Sequence, residues 1–434
     1  MNARTARGVA ASCLLLSVSA GAQEAALTDR YLDPSGGLTL SQAIAEGLRR
    51  EPNLRAARLE IEAARGERRQ AALRPNPSVS AERREEIGGT DNQTTIGLDL
   101  PLDLFRRRAR VAVADTAVVV TERAVEDRER LVAADVREKV GHVLAAVRRL
   151  AVLNDLAESS RRTVALLESR VREGAAPPLD RDVASVDLQR LLAGRELAIG
   201  RADAAITNLK PLLGLSAQTP LRLHDTLDAV VTADGAVVET AADSGARSDV
   251  REAQARVEEA AARVALVRQE AKPDVGFFAS YMRMDSGFPQ SAFGAAGALE
   301  PVHGIFNNVA GGLRIVVPVF NRNQGTRAAA TARREGAERG LEARRLAADS
   351  EITAARARDA AAKRALAVYS AETRTLARHN LDVVRETYQL GRATLFDVLN
   401  EQRRYLDFES GYIDALEEAF SARTALQRAT GEVR

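Results

Sequence analysis

Apolar residues recur along the chain with two different periods, and the switch between them divides the sequence into elements. Val111, Val118, Val125 and Val132 step by seven residues. After a shift of four, Val136, Val143, Leu150, Ala157, Val164 and Val171 step by seven again. Such a repeat is the seam of a coiled coil, and a four-residue shift relaxes the supercoil locally. Leu399, Leu406, Ile413 and Phe420 carry the same repeat. Elsewhere the period is two. Ile96, Leu98, Leu100 and Leu102 alternate with Thr95, Gly97, Asp99 and Pro101. Val309, Gly311, Leu313, Ile315 and Val317 alternate with Ala310, Gly312, Arg314, Val316 and Pro318. This pattern predicts strands with one apolar and one polar or small face. Val275, Phe277 and Tyr281 share a face of another strand, whereas the strand after Pro77 is weak, crowded by Glu82, Arg83, Arg84, Glu85 and Glu86.

The elements occur twice. Leu100-Pro101-Leu102 matches Val317-Pro318-Val319, Gly174 and Asp180 match Gly391 and Asp397, and Leu213-Gly214 matches Thr430-Gly431, all 217 positions apart. A common register over that span marks an internal duplication. Each half predicts a first helix (39–73 and 247–271) and a strand pair (77–86 with 93–102; 274–284 with 308–317). A helix of nearly 70 residues follows (105–173 and 322–389), then a glycine-marked turn and a last helix (179–211 and 395–429). A helix of that length spans roughly 100 Å. The repeats therefore cover 23–213 and 247–434, and 214–246 reads as an irregular linker. The second half holds about 19 extra residues near Phe288–Ile305, rich in Gly, Pro, Ser and Phe, which read as a long loop. Pro101 and Pro318 mark the strand-to-helix junctions, because proline ends a ladder and its fixed φ suits a helix entrance.

Composition narrows the class. Residues 1–22 read as a secretory signal, with Arg4 and Arg7, an apolar run from Val9 to Val18, and Ala20-Gly21-Ala22 as the cleavage site. The one cysteine, Cys13, falls inside it, with Leu14-Leu15-Leu16 after it, where a lipid-acylated cysteine would follow the apolar run. Without the signal, basic and acidic residues balance, since the 62 basic and 60 acidic residues include Arg4 and Arg7. A formal charge of +2 excludes a nucleic-acid binder held by a large basic field. Beyond the signal no apolar run approaches the roughly 20 residues of a spanning helix. The sequence holds no P-loop, H-E-x-x-H or G-x-S-x-G, so no enzyme is expected, and neither is a cofactor. His142, His224, His303 and His379 are scattered without ligand spacing, so no metal site is expected. His303 falls in the expected outer loop. Met282 and Met284 read as membrane-facing packing rather than as metal ligands.

Four strands cannot close a barrel, which needs about eight. Bare edges beside an apolar face would aggregate. Three copies would supply twelve strands, and such a barrel suits an outer membrane. The chain resembles the TolC-like outer-membrane efflux factors from about Leu38 to Gly431. The resemblance rests on Leu40-Ser-Gln-Ala-Ile44 with Glu51-Pro-Asn53, Leu73-Arg-Pro-Asn-Pro77, and Pro101 and Pro318 with Phe320-Asn-Arg-Asn323. It rests also on Tyr388-Gln-Leu-Gly-Arg-Ala-Thr-Leu-Phe-Asp-Val-Leu399. It implies a mainly α fold of duplicated long helical hairpins, trimeric, with a periplasmic α-barrel and a 12-stranded outer-membrane β-barrel. It implies the exit duct of a tripartite efflux pump for drugs or heavy-metal ions, or of a type I secretion system. Partners would be two further copies, outer-membrane lipid, a periplasmic adaptor and an inner-membrane transporter, nearest the resistance–nodulation–division type. The rival reading is a periplasmic coiled-coil adaptor or structural protein, which would carry one hairpin between β-rich segments.

Gly174 and Gly391 mark the helix turns, where glycine supplies the left-handed conformation that ends a helix. Asp180 and Asp397 read as first-turn acids favoured by the helix dipole. The resemblance adds a gate. It places Asp397 in an acidic ring, with Asn400 where the family has a second acid. It makes Tyr388 a hydrogen-bonded latch to Asp180, with Ala393 where an arginine is expected and Arg392 one residue earlier. Val171, Gly174, Leu390, Gly391 and Leu395 would meet the adaptor.

Overall fold

A computed structural model describes residues 26–89, 91–235 and 244–432. The signal segment 1–22, with Cys13, lies outside them. The helices are α1 (Ala26–Asp29), α2 (Leu40–Arg50), α3 (Pro52–Ala71), α4 (Arg107–Arg172), α5 (Pro178–Leu209), α6 (Leu227–Gly235), α7 (Ser248–Glu270), α8 (Gln324–Val368), α9 (Ala371–Gln389) and α10 (Leu395–Thr430). The strands are β1 (Ser78–Glu85), β2 (Asn92–Pro101), β3 (Asp274–Phe293) and β4 (Leu299–Val316). The order of first helix, strand pair, long helix and return helix thus occurs twice. The seven-residue series on α4 is buried at Val125, Val132, Val136, Val143, Leu150, Ala157 and Val164, as are Leu399, Ile413 and Phe420 on α10.

The chain forms two compact units, each drawing on both repeats. The first comprises Met1–Gly47, Asp135–Val238 and Asp359–Thr424. Inside it, Leu32 and Leu38 bridge Leu223, the Tyr31 hydroxyl donates to Asp203 at 2.7 Å, and Gly37 lies so close to the Leu223 backbone that a Cβ would stand 2.5 Å away. Arg137 is buried over the Phe420 ring, 4.9 Å from its centre, donates to Thr424 at 3.2 Å and pairs with Asp234. The second unit comprises Leu48–Ala134, Glu239–Arg358 and Ala425–Arg434. It holds the sheet, an antiparallel meander in the order β1-β2-β3-β4.

The register fixes the faces of the sheet, because residues paired across an antiparallel ladder share a face. Leu100 pairs Phe277 and Phe277 pairs Leu313, while Ile96 pairs Tyr281 and Tyr281 pairs Val309. This apolar face is bare in the chain, with Ile96 50%, Leu313 62% and Val309 84% exposed. Met282 pairs Thr95 and Asn308, and Met284 pairs Gln93 and Phe306. Both methionines therefore lie on the opposite, largely polar face, a correction to the apolar-face packing expected of them. No described helix is long and apolar enough to cross a membrane.

Four expectations change. The first helix is broken at Glu51, whose buried carboxylate accepts from the Leu54 N–H and the Asn53 amide and so caps α3 ahead of Pro52. The extra segment near Phe288–Ile305 is mostly not a loop. It extends β3 and β4 as a ribbon with a bulge between Phe288 and Ser291, and His303 lies on β4 opposite Gly287. The linker contains α6. The second long helix stops at Val368 and restarts at Ala371. There the Ser370 hydroxyl accepts from the Thr373 N–H at 3.2 Å, the geometry of an N-cap. Tyr369 turns onto α10, its ring 5.4 Å from Phe408 and 6.0 Å from Tyr412.

At the start of α7 a polar network replaces aliphatic packing. Arg247, 2% exposed at its side chain, makes paired hydrogen bonds to Asp249 at 2.6 and 2.7 Å, and its Nη1 lies 2.7 Å from Glu351. Ser248 donates to Asp127 at 2.8 Å, and Arg130 reaches the Arg428 carbonyl at the end of α10. Burial alone would raise the Asp249 carboxyl, but the hydrogen bond and charge of Arg247 hold it below its ordinary value. Asp249 therefore adds stability above the unfolded carboxyl value of about 3.9, and that stability is lost as pH falls through the lower folded value. Asp249→Asn should cost about 3 kcal/mol by taking from buried Arg247 its paired anion and leaving it only the half-exposed Glu351. Thermal melts between pH 7 and pH 3 check it: the wild type should lose stability in the acid arm and the variant much less. Equal acid losses would contradict the assignment.

Candidate functional site

The two helix turns carry the candidate site, and both are built alike. Gly174 (φ 74°) and Gly391 (φ 73°) are left-handed. The Gly174 and Ala175 N–H groups donate to Val171 and Arg170 carbonyls at 3.1 and 2.7 Å. The Gly391 and Arg392 N–H groups donate to Tyr388 and Thr387 carbonyls at 2.9 Å each. Both are Schellman closures, which satisfy the last carbonyls of a helix.

The helices that follow start differently. α5 begins at Pro177-Pro178, with Pro177 extended at the cap and no side-chain capping bond. α10 begins with a reciprocal box: Asp397 accepts from the Thr394 N–H and hydroxyl at 2.9 and 2.7 Å, and Thr394 accepts from the Asp397 N–H at 3.2 Å. These hydrogen bonds hold the Asp397 carboxyl below its ordinary value. The duplicated aspartates thus do different work: Asp397 is a capping acid on the surface, and Asp180 is half-buried beside the second hairpin.

One core cluster joins both hairpins: Val164, Leu167, Ala184, Leu188, Tyr388, Leu395, Val398 and Leu399. Tyr388 is 8% and Leu395 6% exposed, so both are core residues. Burial raises the Tyr388 phenol, Arg170 opposes that shift and the nearby Asp180 charge adds to it. The polar grip on this corner comes from Arg170, at the end of α4. Its guanidinium lies 5.6 Å from the Tyr388 ring centre and donates to the Gln389 carbonyl at 2.7 Å. Asp180 acts on Tyr388 by charge at longer range. Sequence reasoning missed Arg170, whose one mark is its place in a last helical turn, where cations favour free carbonyls.

Gly174, Gly391, Leu390, Arg392, Asp397 and Asn400 are exposed, and Val171 is half-buried. Two further exposed apolar side chains, Leu179 (69%) and Phe396 (73%), occupy equivalent places in the two return helices. Pro101 ends β2 and Pro318 follows β4. Beyond them Asp103 (φ 44°) and Asn323 (φ 59°) turn the chain toward the long helices in the left-handed region, which Asp and Asn tolerate. Arg110 pairs with Asp103 at 2.9 Å and donates to the Ala71 and Leu73 carbonyls, tying the start of α4 to the end of α3.

The family model described as outer membrane efflux protein matches residues 43–215 and 245–432, one segment in each repeat. No curated protein matches the chain. Among solved structures, CusC, reported with conformational changes accompanying folding and transmembrane channel formation, is similar with TM-score 0.71 and 19% identity over 90% of this chain and 91% of that one. The outer membrane protein VceC from Vibrio cholerae gives TM-score 0.68 and 21% identity over 90% and 96%. The open state of the Neisseria gonorrhoeae MtrE outer membrane channel gives 0.70 and 18% over 91% and 89%. At these identities the likeness is one of fold.

A Cβ on Gly391 would meet nothing within 4 Å, so Gly391→Ala tests backbone strain alone. It should cost about 1–2 kcal/mol and loosen the closure. Hydrogen exchange at the Arg392 amide should quicken, less so for Gly391→Asn. Unchanged exchange in both would contradict this reading of the turn.

Proposed function

The chain belongs to the outer membrane efflux protein family, and on that premise we propose that three copies form the exit duct of a tripartite efflux pump. Three four-stranded sheets joined edge to edge make one closed barrel, their bare apolar faces turned to outer-membrane lipid. The charged helical hairpins stand in the periplasm. A periplasmic adaptor docks on the turns at Val171, Gly174, Leu390 and Gly391, with Leu179 and Phe396 as its apolar footing. An inner-membrane transporter of the resistance–nodulation–division type selects the cargo, a drug or a heavy-metal ion, and the duct passes it outward.

The observation that carries this reading is the family match in both repeats, on a chain whose sheet leaves one apolar face and two edges open. Cell fractionation tests it. Detergent should extract a trimer from the outer membrane, and deletion of the gene should sensitise cells to the cargo class. A soluble monomer would refute it.

The gate is the corner where Arg170 holds Tyr388 and the Gln389 carbonyl beside Asp180. Three Asp397 carboxylates ring the constriction, and Asn400 leaves them without a second acid, so cation block is weak. Arg170→Ala removes a charge-assisted hydrogen bond worth about 1.5 kcal/mol, which favours the open form roughly tenfold. Tyr388→Phe keeps the ring and should open the duct less. Planar-bilayer conductance reads both, and wild-type conductance in both variants would sink the latch.

A further inference from the structure

Between α4, α9 and α10, above the turns, lies a groove with cavities of about 300 Å³ that share Asp155, Arg378 and Tyr405. Its lower part is lined by Arg162, Arg378 and Arg385 together with Asp155, Glu158 and Asp382, with Leu156 and Leu381 as apolar wall. Arg385 is the deepest of the three, its side chain 19% exposed, and its Nε and Nη2 are shielded from water with no hydrogen-bond partner. Such unpartnered donors are costly, and two of them on one side chain that lines a cavity are free to meet an acceptor that enters it.

The surrounding charges do not meet that demand. Asp382 stands 3.8 Å from Arg385, too far for a hydrogen bond, and is 61% exposed. Glu158 is engaged by Arg162 at 3.1 Å. Burial raises the Asp155 carboxyl against the opposing charges of Arg378, Arg148 and Arg162, and no hydrogen bond ties Asp155 to Arg385. Burial and the repulsion of Arg162 and Arg378 lower the Arg385 guanidinium, while Asp382 opposes the shift. Water could fill the space and screen the guanidinium groups, but it brings no charge to the Arg385 floor. An oxyanion does, and the planar guanidinium fork matches its oxygens.

We propose that Arg162, Arg378 and Arg385 form a binding site for a tetrahedral oxyanion, phosphate or sulfate or a group bearing one. Arg162 and Arg378 are exposed and form the entrance, and Arg385 is the floor. The bound anion bridges α4 to α9 through charge-assisted hydrogen bonds. The site stands on this cavity and its donors and does not depend on the duct reading.

Isothermal titration of the detergent-purified full chain with inorganic phosphate, and separately with sulfate, tests it at constant ionic strength in chloride. One saturable site per chain is expected, at least tenfold weaker in Arg385→Gln and in Arg378→Gln. Circular dichroism melts establish that the variants are folded. If Arg385→Gln fails to fold, Arg378→Gln decides the matter, because its exposed side chain supports no core. Absence of saturable heat in the wild type, or undiminished affinity in the folded variants, overturns the site.

Discussion

A four-stranded sheet with one apolar face and two unpaired edges is unstable alone in water. β1 and β4 each leave a row of peptide groups without partners, and Ile96, Tyr281, Val309 and Leu313 crowd one face. Such a surface pairs with whatever strand it meets. Closure by copies of itself is the ordered way out, and the rest of the chain is consistent with that need. The duplication supplies strand pairs in twos. The long hairpins have seams of small and aliphatic residues that pack as coiled coils. The turns at Gly174 and Gly391 close the hairpins so that one tyrosine, Tyr388, sits in a core shared by both.

Much of this is legible in the residues. Period-seven and period-two patterns survive because each reflects burial of one face, and burial is what the structure enforces. The repeat register held by Gly174, Gly391, Asp180 and Asp397 could be read because glycine at a left-handed turn has few substitutes. The break between α2 and α3 is marked at Glu51-Pro52, since the residue before proline resists helix. The break at Ser370 is harder. Its cap signal is a serine and a threonine in a helix-favouring run, and what decides it is Tyr369 packing on α10, a tertiary contact.

The misread features share a cause. Met282 and Met284 are apolar side chains that fall on the polar face, because register and not hydropathy assigns faces in a strand. The residues near Phe288–Ile305 look like loop by composition, yet a ribbon tolerates Gly and Pro where a bulge relieves the ladder. Arg385 carries no local mark, and Arg170 only its place in a last helical turn. In a chain with so many arginines on helices, most are solvated, and only the partner opposite distinguishes a structural cation from a surface one. The same holds for Arg247, whose distant partners, Glu351 and the Ala429 carbonyl, lie far away in sequence.

The interruption at Tyr369-Ser370 also has a mechanical meaning. A continuous helix transmits rotation, so a change of phase at one end turns every side chain along it. α8 and α9 are not continuous, and the hydroxyl cap at Ser370 begins a new helix with its own phase. α9 therefore packs on α4 and α10 with a phase that starts anew at Ser370. An insertion or deletion upstream in α8 would shift that helix's seam yet leave the azimuth of Tyr388 unchanged. The short joint thus lets the packing of α8 and the alignment of the Gly391 turn be fitted separately.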